Sequence, residues 1–330
     1  MHDETTLEHA TSLNSVMSLE AVTLGGVKQW LTIEGHPERP LLLYLHGGPG
    51  AAEIAVAKKF QRFLWPHWCV VNWDQRGSGK SSAKTVTLEQ LVADLCELIG
   101  QLKRKVPARP LYLLGHSWGS LLALITLQRQ PNLCDGFISV GQLVAGAENE
   151  VLSHQLAIEA AHAKSYGLLQ LALLAERPPY GICADALLRK CFYLYLLGGF
   201  FKRSYVLELL STLVGASEYK LVEKLAYIAR FRRSLKQLQP AIETIDLLTT
   251  PLELKVPVLF CIGSHDLVTP PALATRLFNR LKAPLKHLET FEDQAHCLHY
   301  QDPEGFARRL QTWLASIRDA TSTARPRDES

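Results

Sequence analysis

The run Leu111-Tyr-Leu-Leu-Gly115-His116-Ser117-Trp118-Gly119-Ser120 starts as a short apolar stretch and stops at a serine held between two glycines. It then passes into the helix-like Leu121-Leu-Ala-Leu-Ile-Thr-Leu127. A tight strand-to-helix turn of this kind leaves little room for neighbouring side chains and pushes the serine hydroxyl out at the sheet edge, the form of a nucleophile elbow. Ser117 is therefore the candidate nucleophile, against the competing reading of a small-residue turn with a solvated serine. The strand before it and the helix after it favour the elbow.

On the N-terminal side, Leu41-Leu-Leu-Tyr-Leu45 and Cys69-Val-Val-Asn-Trp73 are continuous apolar runs, the pattern of strands covered on both faces. Val27 to Ile33 alternates imperfectly, as an edge strand does, and Gly136-Phe-Ile-Ser-Val-Gly141 adds another short strand beyond the elbow helix. The strand ending at Leu45 leads into His46-Gly47-Gly48-Pro49-Gly50, a glycine-rich turn with backbone amides uncovered by side chains. Asp74-Gln75-Arg76-Gly77-Ser78-Gly79-Lys80-Ser81 looks like a phosphate loop at first sight. A phosphate loop needs a glycine where Asp74 stands, and a carboxylate there would repel a phosphate, so nucleotide binding is rejected. Thr87-Leu-Glu-Gln90 reads as a capping box opening a helix to about Lys105.

The next strand, Val256 to Gly263, comes more than a hundred residues after Gly141, whereas a crossover needs about a dozen. An insertion is implied. Helices are expected near Glu150 to Tyr166, Asp185 to Leu197, Ser204 to Leu213 and Tyr219 to Phe231, forming a helical cap with aromatic residues such as Phe192, Tyr193, Tyr195, Phe200 and Phe201. The expected division is a sheet core 1–146, helical cap 147–254, core 255–320 and a disordered tail 321–330. The fold class is α/β, a mostly parallel sheet flanked by helices with the cap inserted. Asp302 and Pro303 open a last amphipathic helix to about Ile317.

Nucleophile, acid and histidine in that chain order, each after a strand, are met by Ser117, Asp266 and His296. His296 would take the proton of Ser117, Asp266 would orient the imidazole, and the amides of Trp118 and of Gly47 or Gly48 would hold the oxyanion. His299 and Asp293 are the nearest competitors for the two partner roles.

The motifs His46-Gly-Gly-Pro-Gly50, Asp74-Gln-Arg-Gly-Ser-Gly-Lys-Ser81 and Gly115-His-Ser-Trp-Gly-Ser120 together resemble the prolyl aminopeptidase (proline iminopeptidase) branch of the α/β-hydrolase superfamily. The resemblance implies an α/β-hydrolase fold and a serine hydrolase that releases N-terminal residues, typically proline, from peptides, with no metal and no organic cofactor. It also implies cap carboxylates that meet the substrate's ammonium, for which Glu148, Glu150, Glu176 and Glu208 are the candidates. This chain departs from the branch in carrying His116 where glycine is usual before the Ser-Trp pair. An esterase or lactonase with an apolar acyl pocket remains an alternative, as does a non-catalytic binding module on the same fold.

Composition narrows the partners. A formal charge of +3 with scattered basic residues gives no footprint for nucleic acid. The seven cysteines are widely spaced with no Cys-x-x-Cys pair, the usage of reduced core thiols and not of a zinc site. No apolar run reaches bilayer length, and the acidic, polar start has no signal core, so a cytoplasmic enzyme of small molecules or short peptides is expected. The sequence leaves the oligomeric state open.

Overall fold

In a computed structural model, which describes residues 16–180, 184–201, 211–249 and 251–323, the centre is an eight-stranded sheet of order β1-β2-β4-β3-β5-β6-β7-β8. The strands are β1 (Val16–Leu24), β2 (Val27–Gly35), β3 (Leu41–Leu45), β4 (Cys69–Asp74), β5 (Leu111–His116), β6 (Gly136–Val140), β7 (Val258–Gly263) and β8 (Lys286–Phe291). β1 and β2 are antiparallel additions, and every pairing from β4 across to β8 is parallel.

The apolar runs form central strands because both faces of the sheet are covered. Leu41, Leu43 and Leu45 of β3, with Leu111 and Leu113 of β5, enter one core. Their alternates Leu42, Tyr44, Tyr112 and Leu114 enter the other. α1 (Ile54–Gln61), between β3 and β4, meets the short α9 (Leu298–Gln301) through Phe60 and Tyr300, whose ring centroids are 4.5 Å apart. The first core is closed by α2 (Leu88–Lys105), α3 (Trp118–Arg129) and α8 (Pro271–Arg280), the second by α10 (Pro303–Thr323) through Phe306, Leu310 and Trp313. α3 is buried on nearly every side from Trp118 to Leu127, as a helix without a polar face must be. Thr87 and Gln90 form the expected capping box, and Asp302 caps α10 by accepting the Gly305 amide at 2.9 Å. α10 runs to Thr323, three residues into the expected tail; residues 324–330 lie outside the described residues.

Between β6 and β7 come α4 (Gly146–Ala163), α5 (Gly167–Leu174), α6 (Ala184–Leu196) and α7 (Leu221–Thr244). α5 has no counterpart in the sequence reading, and most of the helix expected near Ser204 to Leu213 lies outside the described residues. α7 continues past Phe231 and through Pro240, because Leu238 and Ile242 in its second half are buried in the first core. Cap and core therefore meet inside one helix. Elsewhere Ala157, Leu173 and Leu194 of the inserted helices pack with Leu267 and Val268, above the end of β7.

The chain leaves β3 toward β4 on one side and leaves β5 toward β6 on the other. Such a reversal opens a crevice at the carboxyl ends of the two strands, where an open α/β sheet binds its ligands. The residues that follow β3 and β5 are the glycine-rich turn and Ser117. Among the described residues no helix is long and apolar enough to cross a membrane.

Candidate active site

Ser117 joins β5 to α3 with φ 54° and ψ −116°, a conformation that side chains disfavour. The two flanking glycines make the turn possible by close approach. A Cβ on Gly119 would stand 2.0 Å from the Leu45 carbonyl oxygen, and one on Gly115 would stand 2.5 Å from that of Gly119. The Ser117 amide donates to Val140 O at 2.8 Å, which pins the elbow to β6. Trp118 is the first residue of α3, so its amide is one of the helix-start donors that the helix itself leaves without a partner.

Asp266, after β7, is buried and fully engaged. Its Oδ1 accepts the amides of Val268 and Thr269, both at 2.8 Å. Its Oδ2 lies 2.8 Å from His296 Nδ1 and accepts the Thr269 hydroxyl at 2.8 Å. Thr269 thus orients the acid, a part that only the fold reveals. His296 follows β8 and is held from above by the insertion: its amide donates to Gly199 O and that of Cys297 to Phe200 O, each at 3.1 Å. The Phe200 ring meets His296 edge-on, with centroids 5.7 Å apart.

Gly141, the residue that follows Val140, faces His296. A Cβ there would lie 2.9 Å from His296 Cε1 and Nδ1. Among the described residues no hydrogen bond joins the Ser117 and His296 side chains. Of the competitors, His299 is bonded by Tyr44 Oη at 2.9 Å and burial holds its imidazole well below the usual range. Asp293 is exposed with φ 58°, and Asp266 takes the place beside His296.

The glycine-rich turn lies against the elbow, with a Cβ on Gly47 falling 3.2 Å from His116 Nδ1 and 3.3 Å from Ser117 Cβ. Gln75 braces the arrangement. Its side chain accepts the Trp118 indole at 3.0 Å and donates to His46 O at 3.1 Å, while its amide donates to His46 Nε2 at 3.2 Å. The remainder of that motif is structural. Asp74 accepts the Lys80 amide at 2.8 Å and the Tyr219 hydroxyl at 2.7 Å, and Arg76 forms a two-point pair with Asp94 at 2.7 Å. Lys80 Nζ reaches Glu223 at 2.8 Å, tying the motif to α7.

The three described glutamate candidates have partners of their own. Glu148 is exposed and paired with Arg276, and Glu176 is bonded by Arg189 at 3.0 Å. Glu150 is buried, accepting the Tyr180 amide at 2.7 Å and Gln239 Nε2 at 2.8 Å; burial raises its pKa, against the opposing charge of Lys190. Glu208 lies outside the described residues. A buried acid beside the elbow is Glu53, whose Oε1 is 3.7 Å from His116 Nδ1 and whose Oε2 accepts the Tyr300 hydroxyl. Nothing in its local sequence marks it. A cavity of about 480 Å³ opens beside the triad loops, lined by Lys164, Leu197, His265, Leu267 and Ala295 among others.

Comparison with known proteins places the chain in a family. A family model described as alpha/beta hydrolase fold matches residues 40–303. The chain is 32% identical over 304 residues to a probable aminopeptidase, YbaC, of Bacillus subtilis (strain 168), covering 90% of this chain and 96% of the relative. It is 34% identical over 107 residues to a probable proline iminopeptidase of Leptolyngbya boryana, covering 32% of this chain and 33% of that one. The crystal structure of a proline iminopeptidase-related protein from Thermus thermophilus superposes with a TM-score of 0.62 at 22% identity, over 91% of this chain and 98% of the other. An esterase from Rhodococcus superposes equally well, with a TM-score of 0.63 at 17% identity, over 91% and 98%.

Proposed function

The chain belongs to the α/β-hydrolase fold family, and within it we propose that it acts as a serine hydrolase of the proline iminopeptidase-like branch, releasing a small N-terminal residue such as proline from short peptides. The observation that carries the reading is the buried Asp266–His296 pair, 2.8 Å apart, beside a serine on a strained elbow. The aminopeptidase name of a relative matched over nearly its whole length supports the substrate class.

In this mechanism His296 takes the proton from Ser117 Oγ as the oxygen attacks the scissile carbonyl, and Asp266 stabilises the imidazolium that forms. The tetrahedral oxyanion lies between the Trp118 amide and that of Gly47 or Gly48, donors fixed in advance by α3 and by the Gln75 brace. His296 then returns the proton to the leaving amine. Water releases the acyl group by the same steps in reverse. No metal or organic cofactor has a role in this scheme. The six described cysteines are free, as suits a reducing compartment, and we read the enzyme as cytoplasmic.

A second reading, esterase or lactonase, draws support from the cap acids. A buried ammonium needs an anion of its own, yet Glu148, Glu150 and Glu176 are already partnered and the insertion lays the apolar Phe200 on His296. Turnover of a proline arylamide with a free amino group, run beside its N-acylated form and a short-chain aryl ester, separates the two. Cleavage confined to the free-amine arylamide is the expected result, and ester turnover alone would replace it with the second reading. Ser117→Ala should abolish turnover with the thermal midpoint preserved; retained activity would remove Ser117 from the mechanism.

A further inference from the structure

Glu53 is the residue just before α1, where an acid ordinarily accepts helix amides, yet its side chain caps nothing. The carboxylate turns inward instead. Its side chain is 11% exposed and that of its partner His116 is 6% exposed. Oε2 accepts the Tyr300 hydroxyl, and Oε1 faces His116 Nδ1 at 3.7 Å, too long for a hydrogen bond, so the contact is an ion pair only when His116 carries a proton. Among the described residues Glu53 forms no ion pair with a lysine or arginine. Among the described residues, the groups beside this carboxylate that can take up positive charge are imidazoles.

Those imidazoles form a chain that ends at the catalytic histidine. The His116 ring lies 4.5 Å from His299 and 4.7 Å from His296, centroid to centroid. Burial alone would raise Glu53, but His116, His299 and the Tyr300 hydroxyl outweigh it and hold the carboxyl at about 2. Burial keeps His116 below the usual imidazole range, with Glu53 opposing and the charge of His296 adding to it. The other titratable groups packed on this cluster are Tyr44 from β3, His46 at its end, Asp266 from the loop after β7, Cys297 beside His296, and Tyr227 from α7. Of these, Asp266 is the one other carboxylate.

We propose that Glu53 is a positioning residue for the reaction, a second buried carboxylate that supports the His296 imidazolium through His116 and acts beside Asp266 from the opposite side of the ring stack. This rests on the Ser117–His296–Asp266 reading and is independent of which acyl group is cleaved. Glu53 stays ionised throughout and no proton moves to it. Its charge lowers the free energy of the His296 imidazolium, both the one formed when Ser117 gives up its proton and the one the resting enzyme holds at low pH, so its effect falls on kcat and on the acidic limb and not on binding. At an effective dielectric of about 20, a charge one ring removed changes a pKa by about one unit.

The test is the pH profile of kcat/KM for any ester or arylamide whose turnover Ser117→Ala abolishes, measured for the intact chain and for Glu53→Gln. The expected result is an acidic limb displaced downward by about one pH unit, with kcat reduced by up to about tenfold and KM little changed, and a limb restored by Glu53→Asp. Equal loss at every pH, with the limb in place, would mean that Glu53 only packs and would overturn the proposal. Should Glu53→Gln fail to fold, Tyr300→Phe serves in its place. Removing that hydroxyl leaves more of the Glu53 charge to His116, so the limb should move upward, and a stationary or falling limb would overturn the proposal. Absence of all Ser117-dependent turnover in the unaltered chain would instead overturn the hydrolase reading, and Glu53's role with it.

Discussion

Ser117, Asp266 and His296 come from three loops more than a hundred residues apart at the extremes, and each is held by a different device. The serine is held by backbone geometry, the acid by four donors and the histidine by two carbonyls of the insertion. Asp266→Asn keeps the size of the side chain but removes the charge and permits the wrong tautomer of His296. By analogy with the triad of serine proteases, kcat should fall by about 1,000- to 10,000-fold with the fold intact, checked by steady-state kinetics beside a melting curve; a loss under about tenfold would remove Asp266 from the catalytic role. The elbow, the acid and the histidine could be singled out in the sequence because each is announced by its neighbours, a glycine pair or the end of an apolar run. Thr269, Gln75 and Glu53 could not. Their meaning lies in partners such as Tyr300, 247 residues from Glu53, and no local pattern records such a pairing.

Among the elements, the contact between β3 and the start of α3 decides how closely the glycine-rich turn approaches Ser117. Gly119 is the spacer there, with the Leu45 carbonyl 2.0 Å from where a Cβ would stand. Gly119→Ala must push α3 away from β3, and the displaced object is backbone that cannot rotate aside. The expected cost is on the order of 3 kcal/mol or more, read by denaturant unfolding, together with a fall in kcat as the Trp118 amide leaves its position. A neutral substitution would show that the elbow tolerates a wider gap. The capping box of α2 and the doubly buried strands were legible because their signals lie within a few residues. β1 was not, although Gly25-Gly26, with φ of 52° and 74°, forms the two-residue turn that joins it to β2. Its alternate residues are largely exposed, so it lacks the apolar pattern by which the other strands declare themselves.

Across the whole molecule, buried acids set how stability responds to pH. Glu34 on β2 is 3% exposed with an oxygen that finds no partner; burial, with the charge of Glu218 added and that of Lys58 opposed, pushes it up to about 7. A carboxyl raised in the folded state contributes stability that is full below its unfolded value of about 4.5 and is lost as pH rises through about 7. Glu34→Gln removes that loss, so the variant should be more stable than the parent at about pH 8, by about 1–3 kcal/mol, and should show no such gain at about pH 4. Thermal midpoints at the two pH values check this, and an equal change at both would mean that Glu34 is already ionised or paired.

The strand and helix pattern of the core follows from the order of residues alone, because burial on both faces, glycine spacing and capping are written into consecutive positions. Folding in three dimensions settled the rest: that His296 stands against Asp266, that Glu148, Glu150 and Glu176 are spent on Arg276, Tyr180, Gln239 and Arg189, and that Glu53 lies beside His116. A charge's partner is set by which strand ends the sheet order brings together and by what the insertion covers. Neither is a property of any short stretch of chain.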